Sequence, residues 1–419
     1  MRSFLKYLSI ILITSVLTIV ALMQIAPFII VVPKKDTQEI EINFDQNVTK
    51  KELKAVDRKA KNIILLIGDG MGINQITAYR IAKGGPNYTS AFDKFPYTGL
   101  IKTHAINTLI TDSAASATAF SSGIKTVNGY LGVNKDKQVV KNITEMLNEK
   151  GYVTSLIATS EITHATPAAF VVHNESRDNT DEIAEQLFRS NNFISLGGGR
   201  DFFIPEDLGG QREDDLDILT LIKEEEAYLG SRSDLTNFQL DPSKRIFGLF
   251  SKEGFIREES EPDLLEMLDF SLEQSNKMIS NNCTGFFIMA EGSQIDWEGH
   301  DNNFDGVYKE MDEFSRVVDR ALKFAESNQD TLVIVLSDHE TGGLLIETDT
   351  WERNPQPRNK MKISWNTAVG LGTHTGTMIP VFAYGPGAEN IGGVMDNTDI
   401  FFIMEEALGI DNLAERKCL

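Results

Sequence analysis

The sequence predicts an α/β fold of three layers, a mostly parallel central sheet with helices on both faces. Three observations carry this. Short apolar runs recur near Asn62–Ile67, Tyr152–Ala158, Phe193–Leu196, Arg245–Phe250, Gly285–Ala290, Thr331–Leu336 and Pro380–Tyr384. They are continuous rather than alternating, as strands buried on both faces are. Amphipathic stretches of helical period separate them, among them Thr180–Arg189, Asp263–Ile279 and Phe304–Glu326. Single acids stand just past the ends of three runs, at Asp69, Glu291 and Asp338, where open α/β sheets collect their ligand sites.

In chain order, Arg2 and Lys6 precede an apolar run from about Tyr7 to Val32, which Lys34 and Lys35 close. The run reaches the roughly 20 apolar residues that span a bilayer and exceeds a usual signal core. Residues 1–32 are therefore expected to be a signal anchor or signal peptide. The uncleaved anchor is favoured, because no clean A-x-A site and no lipobox-like cysteine follows. Either form implies export to a periplasmic or extracellular location, with a membrane tether if the segment is uncleaved. Residues 33–60 are polar and read as a spacer. One catalytic α/β domain is expected over 61–412, with Trp351–Gly372, rich in Asn, Pro, Lys and Thr, as an excursion between the last two strands. Residues 413–419 read as a tail, without the hydrophobic end of a lipid-anchor signal.

The 419 residues include 61 acidic and 40 basic side chains, a net charge of -21. Such a field repels a phosphate backbone and argues against nucleic acid as a specific partner. A small anion held by bound cations stays open, since local charge overrides the global field. Cys283 and Cys418 make no disulfide framework and are expected as unpaired thiols.

Asp69, Glu291 and Asp338 would repel one another at a shared strand edge unless cations compensated. The histidines sharpen the point. In EGSQIDWEGH, Asp296 and His300 stand four apart, on one face of a helical turn. His339 directly follows Asp338 in SDHETGG, and His374 lies in the flexible loop GTHTGT. Imidazole and carboxylate donors, with cysteine nearly absent, suit an open catalytic zinc site rather than a structural one. His104 and His173, in or beside apolar stretches, are expected to be structural.

The stretch ITDSAASATAF, residues 110–120, puts Asp112 and Ser113 at the head of a helix of small side chains. Free N–H groups and the positive helix end favour an anion at Ser113. Metal coordination can activate a serine hydroxyl as a nucleophile. In EITHATPAAFVVHNESRDN, Thr166 offers a neutral oxygen suited to Mg2+, and Arg177 a fork for two phosphate oxygens.

Together these segments resemble the alkaline phosphatases. LIGDGMG (66–72), TDSAASATA (111–119), HATPAAF (164–170), EGSQIDWEGH (291–300), SDHETGG (337–343) and THTG (373–376) occur in that family's order over about 310 residues. The resemblance implies an alkaline phosphatase-like fold. It implies hydrolysis of small phosphomonoesters at alkaline pH through a phosphoserine on Ser113. It further implies two Zn2+ and one Mg2+. Asp296, His300 and His374 would hold one zinc; Asp69, Asp338 and His339, with Ser113 against them, the other. Asp69, Thr166 and Glu291 would hold the magnesium, with Asp69 bridging. Arg177, 11 residues after Thr166 as in the family, would bind the phosphate, with Asp112 in support. A homodimer is also implied, although no interface is legible in the sequence.

Two positions depart from the best-known enteric bacterial pattern. His164 stands where it has Asp, and Trp297 where it has Lys. An imidazole near the third metal favours a softer divalent ion than Mg2+, and the loss of a cation implies weaker phosphate retention. A phosphodiesterase or sulfatase on the same scaffold is the alternative reading, and an inactive tethered binding protein a second. Neither cysteine lies in a sulfatase modification motif, and Ser113 with Thr166 and Glu291 favours a monoesterase.

Overall fold

Strand β1 (Asn62–Gly68) is buried along its whole length. Ile63, Leu65 and Ile67 enter one core and Ile64 and Leu66 another. That is the alternation of a strand packed on both faces, and it explains the continuous apolar run. The computed structural model describes residues 51–55, 57–347, 361–367 and 372–418. Within them, β1 is followed by β2 (Tyr97–Lys102), β3 (Val153–Glu161), β4 (Ile194–Gly198), β5 (Ala227–Leu229), β6 (Ile246–Leu249), β7 (Phe286–Gly292), β8 (Thr331–Leu336), β9 (Glu340–Thr341), β10 (Leu344–Glu347), β11 (Lys362–Trp365), β12 (His374–Thr375), β13 (Ile379–Tyr384) and β14 (Gly393–Asp396). Ten of them form one sheet in the order β14-β2-β13-β8-β1-β7-β3-β4-β6-β5, in which β13 alone runs antiparallel to its neighbours.

The described helices are α1 (Ile73–Gly84), α2 (Ser113–Ser122), α3 (Ile143–Glu149), α4 (Ala165–Ala168), α5 (Thr180–Arg189), α6 (Ile218–Glu225), α7 (Arg232–Thr236), α8 (Leu264–Ser280), α9 (Gln294–His300), α10 (Phe304–Ser327) and α11 (Asp399–Leu408). Residues of α2, α5 and α11 fill one core, and residues of α1, α8 and α10 the other, so the expected three layers are present. Helix α8 starts where its capping box places it, with Asp263 and Glu266 bonding each other's backbone N–H.

The seven expected strands are β1, β3, β4, β6, β7, β8 and β13, and the three expected helices are α5, α8 and α10. Strands β2, β5 and β14 carry no such run: β2 alternates exposed and buried residues, and β5 has three residues. The expected excursion at 351–372 is described only in part, where β11 pairs antiparallel with β10. The segment at 1–32 lies outside the described residues, and no described helix is long and apolar enough to cross a membrane. The last residues of the expected spacer dock on the body: Lys54 and Asn390 exchange two hydrogen bonds of 2.8 and 3.0 Å.

The unpaired-thiol expectation is corrected. Cys283 and Cys418 form a disulfide, closing a separation of 135 residues. The reason is the path of residues 413–418. Arg416 donates its N–H to the Glu149 carbonyl at 2.9 Å, which brings the chain end back to the start of β7.

Two tests follow from this packing. Cys418→Ser should lower the melting temperature, and reductant should bring the wild type down to the same value while leaving the variant unmoved; a typical disulfide contributes about 2–4 kcal/mol. Lys125, with 3% of its side chain exposed, pairs with the equally buried Asp396 at 2.9 Å. Its ammonium also donates to the His104 carbonyl at 2.6 Å and to Asn397 Oδ1 at 2.7 Å. Lys125→Met leaves that carboxylate only the more distant Lys102 ammonium, at 3.6 Å, and long Thr398 hydrogen bonds, and should lower stability in urea denaturation by up to about 3 kcal/mol.

Candidate active site

Strands β8, β1, β7 and β3 are neighbours, with Leu336, Ile67, Glu291 and Ala158 level across them. Because the strands are parallel, the chain just beyond each emerges at one edge. Asp69, Glu291 and Asp338 are brought together there, each fully buried. Strand β3 leads to His164 and to Thr166 on α4. Gly70, at φ +73°, turns the chain away from Asp69, and a Cβ there would lie 2.7 Å from the Asp296 Cα. Only glycine allows α9 to approach so closely. The ribbon of β12 and β9 sets His374 opposite Thr341, next to His339.

Three sets of donor atoms gather within 4.8 Å: Asp69, Asp338 and His339; Asp69, His164 and Glu291; Asp296, His339 and His374. His300 joins the last through Nε2, which lies 3.2 Å from Asp296 Oδ2 and 3.2 Å from His374 Nε2. His339 thus stands within the donor group of Asp296 and His374 as well as that of Asp69 and Asp338. Its Nε2 lies 3.1 Å from Asp338, and its ring stacks on His374 at 3.5 Å. Thr341, which the sequence reading passed over, sits between the sets: its Oγ1 donates to Asp296 and lies 3.2 Å from His339 Nδ1. The signal was present, since Thr341 lies two residues after His339 inside the motif SDHETGG.

Donor atoms here are left over. Asp69 Oδ1, Asp338 Oδ2, both Glu291 carboxylate oxygens, Thr166 Oγ1 and His164 Nδ1 are buried without a hydrogen-bond partner. Each such group is costly to bury unmatched. Divalent cations match them, and the oxygen-and-imidazole chemistry fits zinc and magnesium.

Protonation equilibria agree. Burial, then the charges of Asp338, Asp296 and Glu291, push the Asp69 carboxyl well above the usual range. Burial raises Glu291 to about 8, with Asp338 adding to it. Burial and the neighbouring Arg177 lower His164 to about 3, and burial with the His339 charge lowers His374 to about 4, leaving both neutral as ligands must be. The Asp296 carboxylate raises His300 to about 9.

Ser113 opens helix α2, capped by Asp112, whose Oδ1 accepts the Ala115 N–H at 3.0 Å. Ser113 Oγ lies 3.3 Å from His339 Nε2 and 3.5 Å from Asp69 Oδ2. Arg177 reaches the same place, 3.2 Å from Asp112 Oδ2 and 3.0 Å from His164 Nε2. The Trp297 indole meets the His164 ring edge-on at 6.2 Å. Every site residue expected from the sequence is thus in this cluster. His173, expected as structural, bonds Gly132 and Glu145 instead.

The family model for alkaline phosphatase matches residues 60–365 and 347–410. The chain belongs to the alkaline phosphatase family. It is 34% identical to the alkaline phosphatase of Escherichia coli (strain K12), over 84% of this chain and 87% of that protein. It is 33% identical to alkaline phosphatase 3 of Bacillus subtilis (strain 168), over 81% and 87%. The alkaline phosphatase of the Antarctic bacterium TAB5 superposes with a TM-score of 0.75 at 36% identity, covering 84% of this chain and 99% of that one. A histidine-to-aspartate mutant of the TAB5 enzyme, at 34% identity, TM-score 0.73 and the same coverage, holds Mg in its M3 site. Like these relatives, this alkaline phosphatase is a phosphoric monoester hydrolase.

The raised Glu291 carboxyl yields a signed prediction for cation-free protein. A carboxyl with a higher pKa folded than unfolded binds its proton more tightly in the fold, so its ionisation destabilises as pH rises from about 4.5 to about 8. Stripped Glu291→Gln should therefore melt above stripped wild type at pH 9, with the gap closing by pH 5.

Proposed function

We propose that this alkaline phosphatase hydrolyses phosphate monoesters to an alcohol and inorganic phosphate at alkaline pH through a phosphoserine on Ser113. The observation that carries the reading is the place of the Ser113 hydroxyl, at the open end of α2 and within 3.5 Å of Asp69 and His339. Asp69, Asp338 and His339 would hold one zinc, and Asp296, His300 and His374 the other. Asp69, Thr166 and Glu291 would hold magnesium, with His164 beside them to admit another divalent ion; the magnesium in the M3 site of the TAB5 mutant supports the third site. When bound, the two zinc ions would supply Lewis-acid charge to the attacking and leaving oxygens.

The chain's own groups do the rest. Ser113 Oγ loses its proton and attacks phosphorus in line. The new Oγ–P bond forms as the ester P–O bond breaks, and the departing alkoxide takes up a proton as the alcohol. Water then attacks the phosphoserine: its O–P bond forms as the Oγ–P bond breaks, a proton of the water passes to Ser113 Oγ, and phosphate is freed. Arg177 holds two equatorial oxygens with its guanidinium, itself oriented by Asp112 and His164. The free N–H groups of the first turn of α2 face the third. We also infer that residues 1–32 direct export of a single catalytic domain at 61–412, and that two copies pair.

Ser113→Ala should lower kcat/KM for p-nitrophenyl phosphate at least about 1,000-fold with an unchanged melting temperature; turnover near wild type removes Ser113 from the reaction. Faster hydrolysis of the bis-ester than of the monoester would instead indicate a phosphodiesterase. Trp297→Lys should tighten inhibition by inorganic phosphate, because it returns a cation beside Arg177 and His164. An unchanged inhibition constant excludes that role for Trp297.

A further inference from the structure

We propose that Asn128 is a positioning residue for the zinc site at His374. The inference rests on the metal-dependent reading above. Asn128 and Gly129 form the corner of a turn that Tyr130 N–H closes on the Val127 carbonyl at 3.0 Å. Gly129 has φ +86°, a left-handed value suited to glycine. The Asn128 carboxamide faces the segment before Ser113 and grips it twice. Nδ2 donates to the Ile110 carbonyl at 3.0 Å, and Oδ1 accepts the Asp112 N–H at 3.2 Å. The two bonds fall on either side of Thr111.

What they hold still is the Thr111 carbonyl, 2.9 Å from Nδ1 of His374. A carbonyl only accepts, so Nδ1 carries the ring proton. The lone pair is then left on Nε2, the atom that lies 3.6 Å from Asp296 and 3.2 Å from His300 Nε2. The Thr111 carbonyl thus selects the tautomer and ring orientation that a cation needs, as outer partners of metal-bound histidines do. Asn128 acts one step further out, by fixing that carbonyl. The next residue it holds, Asp112, caps α2, so the same grip sets Ser113 relative to His374.

A residue that merely stiffened the loop would behave like Asn107, whose Oδ1 accepts the Asn128 N–H at 3.4 Å and which makes no such grip on residues 110 and 112. The test is zinc transfer from the loaded full-length protein to a chromophoric chelator. Asn128→Ala should weaken the less tightly held zinc by about 10- to 100-fold. Asn128→Asp, which turns the donor into an oxygen facing the Ile110 carbonyl, should also weaken it, and Asn107→Ala should not. Wild-type zinc retention in Asn128→Ala, or an equal loss in Asn107→Ala, overturns the proposal. If Asn128→Ala fails to fold, wild-type retention in Asn128→Asp overturns it. A wild type with no transferable zinc, matched by His374→Ala, overturns the metal-dependent reading and this proposal with it.

Discussion

Asp69, Glu291, Asp296 and Asp338 lie in one buried cluster, and four carboxylates cannot all ionise there without positive charge among them. Two histidines supply part of that charge: the Asp296 carboxylate raises His300 to about 9, and Asp338 raises His339 against the pull of burial. The Arg177 guanidinium stands beside Asp112 and His164 rather than against these carboxylates, and His164 and His374 are held neutral by burial. Asp69 and Glu291 keep raised carboxyls all the same, and the fold leaves oxygen and nitrogen donors unmatched that cations from outside would fit. On the proposed mechanism, the place where negative charge is crowded is also the place where cations would hold a phosphate ester and activate the Ser113 hydroxyl.

The sheet makes the crowding possible. Four parallel strands in register deliver their carboxyl ends to one edge, and helices packed on both faces keep that edge dry. Helix α2 then brings a partial positive charge and free N–H groups to the cluster. Its small side chains, all buried, let it lie close, and Ser116 Oγ donates to the Asp338 carbonyl at 2.8 Å. Burial of the Glu291 carboxyl costs stability in the cation-free fold, whereas the buried pair of Lys125 with Asp396 steadies the base of the 103–112 loop.

Much of this was legible in the sequence, for physical reasons. Strands β1, β7 and β8 sit mid-sheet, so both faces select apolar residues and the runs stand out; the acids beyond them are conspicuous because nothing apolar justifies them. The six motifs, with Arg177 just beyond the third, hold the expected site residues that the fold gathers at this edge. Short or edge elements left weaker traces, since β2 faces solvent on one side and β5 has no length for a pattern. Sequence spacing also hides what depends on chain return. The Cys283–Cys418 disulfide needs the path of the tail, the sharing of His339 between two donor sets needs the stacking on His374, and Asn128-Gly129 reads as an ordinary turn until the segment it grips is seen.

Elemental analysis of the purified chain, paired with hydrolysis assays before and after chelation, tests the central claim most directly. Close to three divalent ions per chain are expected, two of them zinc, with activity lost on their removal and regained on their return. Full activity in a chain carrying less than one divalent ion would contradict it.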